Sequence, residues 1–175
     1  MFSKEVYVNR RNTLKTKVSS GILLFLGTGE AAVNYAGNAY RYRQDSTFNY
    51  YFGLTDPDLA AVIDLESGEE IIFGNDVDID DIIWMGPQPL ISDKAASVGV
   101  SKTFPLAELE KYVSKAKAGG RKVHFLPPYR YQNMIRLNQM LGVPFDRMRS
   151  DASEEFIKAV VSMRLIKEQC EIDEI

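Results

Sequence analysis

One cysteine, one histidine and one tryptophan occur in 175 residues. Cys170 has no second cysteine to bond, so an internal disulfide is excluded. That fits a reducing cytoplasm, the compartment expected here. A Ser-His-Asp triad or a histidine-bearing metal set would have to use His124. The apolar run at residues 21–26 is far too short for a bilayer span or a signal core. A surplus of one charge is missing too: 21 Lys and Arg face 24 Asp and Glu, net -3 and dispersed. This leaves neither a basic face for nucleic acid nor an acidic tail. Internal repeats and low-complexity tracts are absent. A soluble cytoplasmic protein is expected, with no nucleic-acid and no membrane partner.

What is present is ordinary for a globular domain: 45% hydrophobic and 26% charged residues. A chain of this length buries roughly 70% of its unfolded surface and needs no staples. Ser3 is placed to cap a helix reaching about Ser19, with Val6, Arg10, Leu14 and Val18 on one side and an exposed basic other side. Residues 22–26 are continuously apolar between glycines and read as a strand buried on both faces. A glycine-containing loop follows. Residues 59–65 and 70–73 flank Ser67-Gly68 and read as a hairpin. Short helices are expected at 78–85 and 92–98, a strand ending at Phe104, and a helix from Pro105 to Ala118 closed by Gly119-Gly120. A strand at 122–126, a helix at 129–141 and an extended piece at 143–148 come next. Asp151, with Glu154 three residues on, is placed to cap a long final helix. It carries an apolar stripe through Phe156, Ile157, Val160, Val161, Met163 and Leu165. The order predicts an α/β fold, a mixed β-sheet flanked by helices on both faces.

The densest stretch is residues 40–58, with six aromatic side chains around Arg43-Gln44-Asp45-Ser46, leading to a strand. A structural reading has Arg43 and Asp45 fixing a loop through charged hydrogen bonds while Phe48, Tyr51 and Phe52 fill the core. The competing reading is a catalytic Ser46 or Asp45. No Gly-x-Ser-x-Gly turn surrounds Ser46, which favours the structural role. Asp76, Asp78, Asp80 and Asp81 alternate like a calcium loop. The sixth and twelfth positions, Asp81 and Pro87, lack the glycine and glutamate such a loop needs, so a solvated helix start is preferred. His124 reads as an ordinary strand residue, and Cys170 as an inert helix residue. Gly27-x-Gly29 lacks the third glycine of a phosphate cradle. Trp84 stands open between two roles, a buried core filler and an exposed partner anchor.

The run Tyr-Arg-Tyr-Arg-Gln-Asp-Ser-Thr-Phe-Asn-Tyr-Tyr-Phe-Gly-Leu resembles the N-terminal signature of Xaa-Pro aminopeptidases, the aminopeptidase P branch of the creatinase/prolidase metallopeptidases. Arg10-Arg11 with Leu14 looks like the family's opening helix. Ile83-Trp84-Met85-Gly86 is similar to its Trp-x-Gly segment, and residues 163–172 look like its junction with the catalytic domain. The resemblance implies a ribonuclease H-like N-terminal domain at 1–163, with 164–175 opening a pita-bread catalytic domain. It implies a parent enzyme that removes the first residue of peptides with proline second. Two divalent ions, usually manganese, would be held beyond residue 175, so no catalytic or metal-ligating residue is assigned in this chain. The partners implied are that catalytic domain, further copies in a homodimer or larger homo-oligomer, and short proline-containing peptides. Trp84 is then the candidate for a substrate pocket or interface, and Arg43, Gln44, Asp45, Ser46 and Tyr50 form a structural motif. The alternatives are an inactive peptide-binding module of the same fold, or the N-terminal domain of a prolidase or creatinase relative.

Overall fold

Alternation of apolar side chains along three central strands organises the molecule. The structure is a computed structural model that describes residues 2–175. Strands β1 (Ile22–Leu26), β4 (Ala60–Asp64) and β5 (Glu70–Phe73) pair antiparallel in the order β5-β4-β1. Two strands join them in parallel, β6 (Lys102–Phe104) beside β5 and β7 (Val123–His124) beside β1. The sheet is therefore mixed, with order β6-β5-β4-β1-β7.

Successive strand residues point to opposite faces. Leu23, Phe25, Ala61, Ile63 and Ile72 meet one layer of helices: α1 (Lys4–Lys15), α2 (Ser46–Phe52), α4 (Ile91–Ser97) and α7 (Glu154–Leu165). Ile22, Leu24, Ala60, Val62, Ile71 and Phe73 meet the other, α5 (Glu108–Ala118) and α6 (Tyr131–Leu141). The expected three-layer sandwich is present. At its centre the Phe25 ring lies 5.1–5.4 Å from the rings of Tyr51, Phe52 and Phe156. Such clusters add about 0.5–1.5 kcal/mol per pair beyond area burial. The remaining elements are the hairpin β2 (Ala32–Tyr35) and β3 (Asn38–Ala39), helix α3 (Ile79–Met85), a 3-10 turn at Phe145–Arg147, and α8 (Gln169–Glu174).

Several expectations need correction. The side of α1 expected to be basic and exposed contains Arg11, which is fully buried, and Tyr7 is buried too. Arginine takes core positions here because its donors find acceptors, as described below. The glycine-containing loop folds in part into the β2–β3 hairpin. Its residues are all exposed or half-exposed, so no apolar pattern marked it. Residues 46–52, for which the sequence indicated no element, form helix α2. The piece at 143–148 contains the 3-10 turn rather than a strand. Helix α7 is capped by Ser153, whose Oγ accepts from the Phe156 amide at 3.2 Å, and not by Asp151. Asp151 is held instead by the Arg147 guanidinium at 2.9 Å. The exposed Val161 and Leu165 also narrow the apolar stripe of α7.

Candidate functional site

Helix α2 carries the aromatic signature, and its two ends are fixed by different chemistry. At the N-terminus, Asp45 Oδ1 accepts from the Thr47 and Phe48 amides at 2.9 and 2.8 Å. Its Oδ2 accepts from the Tyr129 hydroxyl at 2.8 Å. Burial raises the Tyr129 pKa, and the neighbouring Asp45 charge adds to the effect, to about 12. Gln44 stitches the strand before it: Oε1 accepts from the Thr28 and Asp45 amides at 2.8 Å, and Nε2 donates to the Asp56 carbonyl at 2.8 Å. Both side chains are thus occupied in holding backbone.

At the C-terminus of α2 the unpaired carbonyls meet two cations from α1. Arg10 Nη1 donates to Tyr50 O at 2.9 Å and Arg11 Nη1 donates to Tyr51 O at 2.9 Å. Cations at a helix C-terminus satisfy its last carbonyls and oppose its dipole. Arg11 also donates to Val98 O at 2.8 Å and to Glu70 Oε2 at 2.7 Å, and its guanidinium lies 5.3 Å from the Phe52 ring. Arg10 reaches Glu168 at 2.6 Å, just before α8, and lies 3.8 Å from the Tyr50 ring. Gly53 closes α2 at φ 62°, and a Cβ there would run into the Tyr7 ring.

The motif residues therefore divide. Asp45 and Gln44 hold backbone amides and carbonyls, and the Tyr50 carbonyl accepts from Arg10. Arg43 is exposed and its guanidinium bonds to nothing among the described residues. Its carbonyl accepts from Thr28 Oγ1 at 2.8 Å, so Gln44 does the fixing expected of Arg43. Ser46 is exposed at the helix start with no base beside it. A cavity of about 460 Å³ opens beside α2, lined by Arg10, Tyr42, Arg43, Tyr50, Arg164 and Glu171 among others.

His124 is fully buried on β7. Ser20 O, 2.8 Å from Nε2, can only accept, so Nε2 carries the proton and Nδ1 accepts from Ser153 Oγ at 2.6 Å. Burial lowers its pKa. The ring ties β7 to the start of α7.

Helix α3 is the opposite case. Asp78 caps it by accepting from the Asp81 amide at 2.9 Å, and Asp76 accepts from the Ile91 amide at the start of α4. These carboxylates serve helix starts, as the sequence indicated. No residue of α3 is buried. Trp84 is 87% exposed, beside Ile83 at 72% and Met85 at 59%. Of its two roles the core filler is ruled out. Among the described residues no three His, Cys, Asp or Glu side chains come together as a metal set. The described residues therefore offer no donor set for a metal pair.

The model of the family "Aminopeptidase P, N-terminal domain" matches residues 7–124. A curated relative named "Probable Xaa-Pro aminopeptidase", from Aspergillus flavus, is 25% identical over 167 residues. That alignment covers 93% of this chain and 32% of the relative, so the chain spans about a third of the length of the curated relatives it matches. The low-pH form of Escherichia coli aminopeptidase P superposes with a TM-score of 0.78 at 22% identity, covering 99% of this chain and 41% of that one. Pseudomonas aeruginosa aminopeptidase PepP gives 0.77 at 19%, covering 98% and 40%. The structural likenesses show the shared fold, while the family model spans well over half of the residues. The chain belongs to the aminopeptidase P N-terminal domain family.

Proposed function

We propose that this chain is the non-catalytic N-terminal unit of a cytoplasmic Xaa-Pro aminopeptidase. The full enzyme would remove the first residue from peptides with proline second. A following domain would hold two divalent ions, manganese in the working enzyme, which polarise the scissile carbonyl and activate water. Residues 1–163 form the unit and 164–175 open the catalytic domain. The unit serves subunit assembly and narrows access to the reacting centre, with Trp84 at a substrate pocket or interface.

The observation that carries this reading is α3. Ile79, Ile83, Trp84 and Met85 of this helix stand largely in solvent and gain little from the core. Tryptophan is also the residue most enriched among interface anchors. Acidic residues at its start keep it soluble until it is covered.

Two measurements test the proposal. This chain, incubated with Mn²⁺ and a proline-second peptide, releases no amino acid; proline-dependent cleavage by it refutes the non-catalytic assignment. In the full-length enzyme, Trp84→Ala lowers kcat/KM while metal content stays constant. Unchanged kinetics remove Trp84 from the site.

A further inference from the structure

Half of the ten arginines have carboxylate partners: Arg10, Arg11, Arg121, Arg136 and Arg147 each pair with at least one. Of the others, Arg164 donates to Thr47 Oγ1, while Arg41, Arg43, Arg130 and Arg149 make no ion pair and donate no side-chain hydrogen bond among the described residues. Three of these four, Arg41, Arg43 and Arg130, line one cavity of about 220 Å³, with Tyr40, Tyr42, Gly29 and Ala31. Asp45, the carboxylate at the neighbouring α2 start, is already committed to two amides and the Tyr129 hydroxyl. All three arginines are exposed, so their guanidinium donors are open to an anion arriving from solvent.

We propose that this cavity binds the terminal carboxylate of a short peptide. A guanidinium presents a flat pair of donors that matches a carboxylate, and three arginines line this space. The volume is below the roughly 300–1,000 Å³ of sites that enclose a whole small ligand. It suits one end residue, not a nucleotide. The small Ala31 leaves room for a main chain, and the two tyrosines offer apolar faces to its last side chain; Gly29 turns its bare side to the Asp58 carboxylate, which Arg136 neutralises. The peptide source rests on the aminopeptidase reading above. The oxyanion chemistry does not, because inorganic phosphate would satisfy the same donors.

The test is a titration of the 175-residue chain at low ionic strength, read on the Arg Nε–H resonances. Alanyl-prolyl-alanine as free acid, the same peptide as its C-terminal amide, and inorganic phosphate are the three probes. The expected result is saturable shifts of Arg41, Arg43 and Arg130 with the free acid and binding at least about tenfold weaker with the amide. Arg43→Gln and Arg130→Gln each weaken the free acid about tenfold with unchanged melting temperature, and Arg147→Gln, outside the cavity, does not. Equal binding of acid and amide overturns the proposal, as does the absence of saturation at millimolar peptide. Binding of phosphate but not of the peptide acid overturns the peptide assignment. Since no turnover is measured, failure here leaves the aminopeptidase reading standing, and loss of activity in the full enzyme leaves this titration intact.

Discussion

Replacing Arg11 by methionine tests whether a buried guanidinium sets the position of the signature helix. Methionine keeps much of the aliphatic volume, so the packing loss is small. What disappears is the donor to Tyr51 O and the donor to Val98 O, both buried bonds. A buried acceptor left without its donor costs about 1–3 kcal/mol. Glu70 is not abandoned, because Lys15 Nζ also lies 2.7 Å from it. The full penalty of a broken buried ion pair therefore does not apply, and the sum comes to about 3–4 kcal/mol. For a domain of this size that is about 6–16 °C in Tm, at about 2–4 °C per kcal/mol. Urea unfolding followed by far-UV circular dichroism is the right assay, because Trp84 already sits in solvent and reports little of the core. Arg11→Lys keeps the charge but cannot reach three acceptors at once, and falls between wild type and Arg11→Met. A loss below about 1 kcal/mol for Arg11→Met, the range of a surface change, refutes the argument that these carbonyls depend on it.

Other perturbations follow from the same geometry. Gly53→Ala must adopt a left-handed backbone and meet the Tyr7 ring, so a loss of about 3 kcal/mol or more is expected in the same unfolding assay. Trp84→Ala leaves the stability of this chain within about 0.5 kcal/mol, and a larger loss shows that α3 is held by its tryptophan. Stability falls in acid in two stages. Burial depresses the His124 pKa, so its contribution is complete above the ordinary 6.5 and is lost as pH falls below it, at no more than about 1.4 kcal/mol per pH unit. Burial would raise the Asp64 pKa, but the Arg121 fork and the Ser67 and Glu66 amides outweigh it and hold it low; that contribution persists above 3.8 and is lost below. Urea midpoints that stay level from pH 7 to 5 contradict the first stage.

The sheet was legible because its strands are apolar on both faces and bounded by glycine, a pattern that a surface segment does not show. The α3 start was legible because Asp78 lies where a cap must. Three features were hidden for physical reasons. Arg11 falls on the side of α1 expected to be basic and exposed; only the carbonyl of a helix 40 positions away, at Tyr51, and its other acceptors make its burial favourable, as the Tyr50 carbonyl does for Arg10. Ser153 displaced Asp151 as the α7 cap because His124 orients its hydroxyl and Arg147 occupies the aspartate. The β2–β3 hairpin rests on backbone pairing with no buried side. For Trp84, composition alone left core and surface equally open, and exposure decided between them. The recognition of the family rested on a contiguous run of residues, which survives divergence better than the scattered contacts that position it.

Strand β1 is hydrogen-bonded on one side to β4 and on the other to β7, so Leu23 faces Ile63 in one direction and His124 in the other. A chain emerging from the ribosome can therefore complete one flank of β1 long before the other exists. Until His124 arrives, an apolar strand keeps an open rim that invites pairing with a second molecule. Shortened forms ending ahead of β7 would be sticky rather than merely less stable, and the two-residue strand that looks least consequential is what seals the sheet.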